Sequence, residues 1–220
     1  MSVSIVAPPT LIDAPFNSPR SNSEESDPVV LRLAPAIKMT PDQFYDLCRQ
    51  NEDLRLELTA DGDVVVMSPS ALEYSGYGVN IILQLGAWSF SGGGGRIFES
   101  SGGYRLPNKA VRAPDVSWIS DERLSQVTAE HMRKYPPVAP DFVAEIISPS
   151  DSVKQTMEKM TEYVSNGVRL GIMLNPRNFS VSIYRPDNTP IVLSNPDKVS
   201  CEPELAGLIL EMDKIWPRPR

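Results

Sequence analysis

Phe142-Val143-Ala144-Glu145-Ile146-Ile147-Ser148-Pro149-Ser150-Asp151 is the stretch on which the fold turns. Its first part is apolar except for one acid, the pattern of a strand covered on both faces. The serine, proline and aspartate that follow are turn-and-cap residues and launch a helix. Val153, Met157, Met160 and Val164 then recur as the helix's buried face, and Asn166-Gly167 stops it. Strands at 170–174, 181–184 and 191–193 complete a sheet.

Upstream, Thr40-Pro41-Asp42-Gln43 reads as a capping box with proline at the first helical position, and Phe44, Leu47 and Cys48 give that helix one apolar stripe. Residues 54–58 and Val64 to Met67 flank Asp61-Gly62, a hairpin dipeptide, and form an antiparallel pair. Tyr74, Tyr77, Gly78, Ile81, Leu85 and Trp88 mark a long packed helix ended by the run Gly92 to Gly95. That run follows a helix and lacks a succeeding lysine and hydroxyl residue, so it is not a phosphate loop. Further strands fall at 96–99 with 104–106, and at 114–119. The fold class is α/β: a mixed central sheet flanked by helices, with an N-terminal β-hairpin extension.

Composition narrows the function. Residues 1–37 are rich in proline and serine and carry Glu24, Glu25 and Asp27, too little apolar surface to fold alone, so they read as a disordered acidic arm. Such an arm could recognise a positively charged partner. Residues 38–220 form one domain. No run approaches the roughly 20 apolar residues of a membrane span, and no signal peptide is legible, which implies a soluble, cytoplasmic protein with no membrane partner. Cys48 and Cys201 lack metal or redox spacing, and the single His131 has no placed nucleophile to serve. Net charge is −7, which argues against sequence-blind binding of polyanions unless a bound metal supplies the positive charge locally.

Two acids break local rules. Asp115 enters Pro114-Asp115-Val116-Ser117-Trp118-Ile119, and Glu145 interrupts the strand quoted first. A buried carboxylate costs several kcal/mol unless paired, and a shared divalent cation would compensate both. The alternative is that each acid meets its own arginine, with Arg105, Arg112 and Arg169 as candidates.

The order of elements, with Glu73 opening the long helix, then the Pro-Asp strand, the acid-bearing strand and a helix carrying Lys159, resembles the PD-(D/E)XK nuclease superfamily. The chain resembles still more closely the Uma-two family of restriction-type endonucleases, through Thr40-Pro41-Asp42-Gln43-Phe44, Arg55-Leu56-Glu57-Leu58, Ala113 to Ile119, Glu145 to Asp151, Lys159-Met160-Thr161-Glu162-Tyr163 and Asn166-Gly167-Val168-Arg169-Leu170-Gly171.

The resemblance implies a restriction-endonuclease-like core and a metal-dependent endonuclease acting on nucleic acid, with DNA the expected substrate. It makes Asp115, Glu145 and the Ile146 carbonyl ligands of Mg²⁺, with Mn²⁺ as a substitute. The superfamily's lysine, two positions after the acid, is here Ile147. Lys159 is the expected replacement and Lys154 its competitor. Glu73 matches the family's early helix acid, although the family's glycine, threonine and asparagine surroundings are here Ala71-Leu72-Glu73-Tyr74-Ser75-Gly76-Tyr77; Glu57 ranks below it. Nucleases that cut two strands imply a homodimer. The rival reading is a non-catalytic protein that keeps the scaffold as a binding or interaction module.

Overall fold

The computed structural model describes residues 29–149 and 151–216. In chain order the elements are β1 (Val29–Leu31), α1 (Pro41–Gln50), β2 (Arg55–Leu58), β3 (Val64–Met67), α2 (Leu72–Trp88), β4 (Arg96–Glu99), β5 (Tyr104–Arg105), β6 (Val111–Arg112), β7 (Val116–Ile119) and α3 (Asp121–Leu124). There follow β8 (Phe142–Ile146), α4 (Val153–Ser165), β9 (Leu170–Asn175), β10 (Ser180–Tyr184), β11 (Ile191–Ser194), β12 (Lys198–Ser200), β13 (Ile209–Glu211) and α5 (Met212–Ile215). The result is the expected mixed α/β fold.

The central sheet runs β11-β10-β9-β8-β7-β4, with β8 and β9 parallel and every other pair antiparallel. Being central, β8 is covered on both sides, which is why its sequence is apolar on both alternations. Ala144 and Ile146 pack with Tyr77 and Ile81 of α2, whereas Val143 and Ile147 pack with Met160, Tyr163 and Val164 of α4. Alternation therefore turns Glu145 toward α4. Gly78 lets α2 lie close to the sheet: a β-carbon there would already touch Ile146 and Val116 at 3.7 and 3.9 Å.

A second sheet, β1-β3-β2-β6-β5, carries the expected hairpin, with Glu57 opposite Val65. Its inner face packs on Phe44 of α1, whose capping box forms as read, Thr40 and Gln43 exchanging side-chain to backbone bonds.

Several local expectations shift. Composition predicts a disordered arm over 1–37, but 29–31 form β1, paired with Val64 to Val66, so backbone pairing overrides composition there; residues 1–28 lie outside the described residues. The strands at 96–99 and 104–106 belong to different sheets, β4 pairing β7 and β5 pairing β6. Met157, expected in the core, is 45% exposed, and fully buried Tyr163 occupies the inner stripe of α4 instead. Asp115 sits in a bend immediately before β7, not within the strand. Among the described residues no helix is long and apolar enough to cross a membrane.

Candidate active site

β7 and β8 run antiparallel with Val116 opposite Ala144, and extending that register by one residue sets Asp115 across from Glu145. The backbone fastens the pair: Asp115 Oδ2 accepts the Ile146 N–H at 2.8 Å. The acid before one strand is thus held by the residue after the acid of the next.

Lys159 completes the cluster from the other layer. Because Glu145 faces α4, a lysine two turns into that helix can reach it, and Nζ lies 2.8 Å from Glu145 Oε1 and 2.9 Å from Glu57 Oε1. Ile147, where the resemblance leads one to expect a lysine, is fully buried in the core between sheet and α4. Lys154 is on the outer surface, paired with Glu158 at 3.8 Å.

Glu57 is more deeply involved than its sequence rank suggested. It is 2% exposed, and besides Lys159 it accepts the Ala113 N–H at 2.9 Å on Oε1 and Arg112 Nη1 at 3.0 Å on Oε2. Arg112 in turn holds Glu162 at 2.6 Å, and Glu162 accepts Asn108 Nδ2. The Tyr163 hydroxyl donates to Glu145 Oε1 at 3.0 Å. Glu73 lies at the start of α2, where its carboxylate accepts the Tyr77 hydroxyl at 2.7 Å. Tyr163 carries no sequence signal beyond its place in the motif that begins at Lys159, and Arg112 enters the sequence reading only as a candidate partner of the two acids. Only the meeting of the two sheets over α4 reveals them.

The arginine alternative fails as stated. Among the described residues Arg112 serves Glu57 and Glu162, Arg169 serves Asp141, and neither Asp115 nor Glu145 forms an ion pair with an arginine, Arg55 acting on Asp115 only from beyond contact.

Electrostatically the cluster is short of positive charge. Three cations, Lys159, Arg112 and the more distant Arg55, face five carboxylates, Glu57, Glu145, Glu162, Asp115 and Asp151. Burial drives the Glu145 carboxyl up to about 8, with Asp115 and Glu57 adding to it and Lys159 opposing. Burial also raises Asp115, against the pull of the Ile146 N–H and Lys159. Glu57, equally buried, ends below its ordinary value because Lys159, Arg112 and Ala113 outweigh desolvation. Lys159 resists desolvation in the same way, since Glu145 and Glu57 hold its proton on. The two acids expected to bind metal are therefore the two whose burial their positive neighbours do not fully offset.

Asp115 and Ile146 line a cavity of about 500 Å³ whose other walls include Arg55, Met67, Tyr74 and Gly78. Among the described residues no three His, Cys, Asp or Glu side chains form a metal cage. Asp115 and Ile146 reach this cavity, with buried Glu145 directly before Ile146 in the chain, so the candidate donor set is two carboxylates and a backbone carbonyl. That set suits Mg²⁺, which binds through one or two carboxylates and keeps several waters. Asp115 Oδ1 and Glu145 Oε2 accept no hydrogen bond among the described residues.

The Uma2 family model, described as "Putative restriction endonuclease", matches residues 41–213. The chain belongs to the Uma2 family. The match spans α1, the central sheet, the second sheet apart from β1, and the acid-lysine cluster. A solved structure described as "a putative nuclease belonging to DUF820 from Anabaena variabilis" is similar, with a TM-score of 0.65 and 18% identity, covering 81% of this chain and 97% of that one. That likeness establishes the fold of the Uma2 chain. No curated protein gives a significant match.

Proposed function

We propose that this Uma2 protein is a metal-dependent endonuclease that hydrolyses phosphodiester bonds in nucleic acid, with DNA as its substrate. The observation that carries the reading is the convergence of Lys159 on Glu145, beside an Asp115 tied to the same strand, although the superfamily's own lysine position is apolar.

Asp115, Glu145 and the Ile146 carbonyl would hold Mg²⁺ or Mn²⁺. Once bound, the cation supplies Lewis-acid activation of water and of the phosphate. The chain's residues do the positioning. The Ile146 N–H fixes the Asp115 carboxylate, and Tyr163 fixes that of Glu145. Lys159 keeps its proton in this setting, so it acts as a fixed positive charge toward developing negative charge on the phosphate oxygens and not as a general base. His131 lines a different cavity, with Tyr45 and Tyr135, and takes no part.

The reading includes a homodimer acting in the cytoplasm, because two such sites together would cut both strands of a duplex, and the exposed apolar residues Leu72 and Leu83 of α2 offer an uncharged face for pairing. The test is nicking of supercoiled plasmid with Mg²⁺ or Mn²⁺ by wild type beside Asp115→Ala. Cation-dependent nicking by wild type alone supports it, and equal nicking by both proteins overturns it.

A further inference from the structure

A dication bound at Glu145 creates a conflict that the geometry makes plain. Lys159 Nζ rests on Glu145 Oε1 at 2.8 Å, so the ammonium and the dication would compete for one carboxylate and repel each other. The ammonium needs a second anion if it is to stay in the site.

We propose that Glu57 is that anion, a positioning residue that retains Lys159 in the site when a divalent cation occupies Glu145. The inference rests on the nuclease reading given above. Glu57 Oε1 is 2.9 Å from Nζ, as close as Glu145. Glu57 is itself anchored from elsewhere: the Ala113 N–H also reaches Oε1 and Arg112 takes Oε2. Both its oxygens are thereby engaged by protein donors, which distinguishes it from Asp115 and Glu145 and makes it an unsuitable metal ligand. Arg112 is held from its other side by Glu162, so Glu57 is pinned to the second sheet and to α4 at once. The N-terminal hairpin, peripheral in sequence, thus sets the position of Lys159.

Without Glu57 the ammonium has Glu145 alone, and cation binding must break that pair. Glu57→Gln keeps the side-chain volume and the acceptor for Ala113 while removing the charge. It should lower kcat roughly 10–100-fold with the substrate KM little changed, the size of effect seen when a residue supporting a metal site is lost. It should also weaken Mn²⁺ binding, read by calorimetry without substrate.

The deciding comparison repeats Glu57→Gln in a Lys159→Met background, where there is no ammonium to compete. There the substitution should leave Mn²⁺ affinity nearly unchanged, because its effect travels through Lys159. An equal loss of Mn²⁺ affinity in both backgrounds would make Glu57 a ligand and overturn the proposal, as would full activity of Glu57→Gln. If circular dichroism shows Glu57→Gln unfolded, Glu57→Asp, which keeps the charge but withdraws it by one methylene, is measured in both backgrounds: a smaller loss of Mn²⁺ affinity confined to the background that retains Lys159 is expected, and an equal loss in both overturns the proposal. Wild type that binds no Mn²⁺ at all would sink the nuclease reading itself, which is a separate failure from wild type that binds Mn²⁺ indifferently to Glu57.

Discussion

Replacing Lys159 by methionine tests whether the buried network is as drawn. The lysine side chain is 13% exposed and the carboxylates it bridges are 3% and 8% exposed, so the substitution strands two acids out of water. Glu57 keeps Arg112 and the Ala113 N–H, but Glu145 keeps only the Tyr163 hydroxyl. Breaking a buried ion pair costs about 3–5 kcal/mol. Glu145, already pushed up to about 8, can take a proton and escape part of that. The lower end, about 3 kcal/mol, is the expected loss, equivalent to roughly 6–12 °C in Tm for a domain of this size. Adding Glu145→Gln removes the stranded acid and should restore roughly 0.5–3 kcal/mol. Urea melts followed by tryptophan fluorescence, with thermal melts beside them, supply the numbers. A Lys159→Met protein within about 0.5 kcal/mol of wild type would behave like a surface substitution and refute the network.

Two further outcomes follow from residues away from the cluster. Cys201 is fully buried and desolvation lifts its thiol to about 12, so at pH 8 a thiol reagent should modify half-buried Cys48 first and Cys201 only as the protein unfolds; equal rates in native protein would contradict its placement. Gly95 has φ +70°, and a β-carbon there would strike the Ile119 carbonyl and the Trp118 indole, so Gly95→Ala should cost more than about 2 kcal/mol in a urea melt.

How much of this was legible in the sequence depends on the range of the cause. The capping box at Thr40, the Asp61-Gly62 hairpin and the long helix ending at the glycine run are local patterns, and each forms as read. Asp115 and Glu145 stood out because an apolar strand rarely admits an acid, and the register opposes them. Glu57 gave no comparable signal. In Arg55-Leu56-Glu57-Leu58 a lone acid alternating with leucine looks like the wet face of a hairpin, and its burial depends on Arg112 and Lys159, far away in the chain. The short β1 lay hidden in an arm whose proline and serine content suggested no structure, because a three-residue edge strand draws its order from pairing with β3. Met157 shows the converse failure: its spacing fits the buried stripe of α4, yet Tyr163 takes the inner position and binds Glu145.

The sharing of one divalent cation by Asp115 and Glu145 is read directly from crystals soaked in Mn²⁺ and measured at the manganese absorption edge. An anomalous peak bound by both carboxylates and the Ile146 carbonyl, with Lys159 still on Glu57, is the predicted result. A site that stays empty at saturating Mn²⁺, with Lys159 bridging Glu145 and Glu57 unchanged, would contradict it.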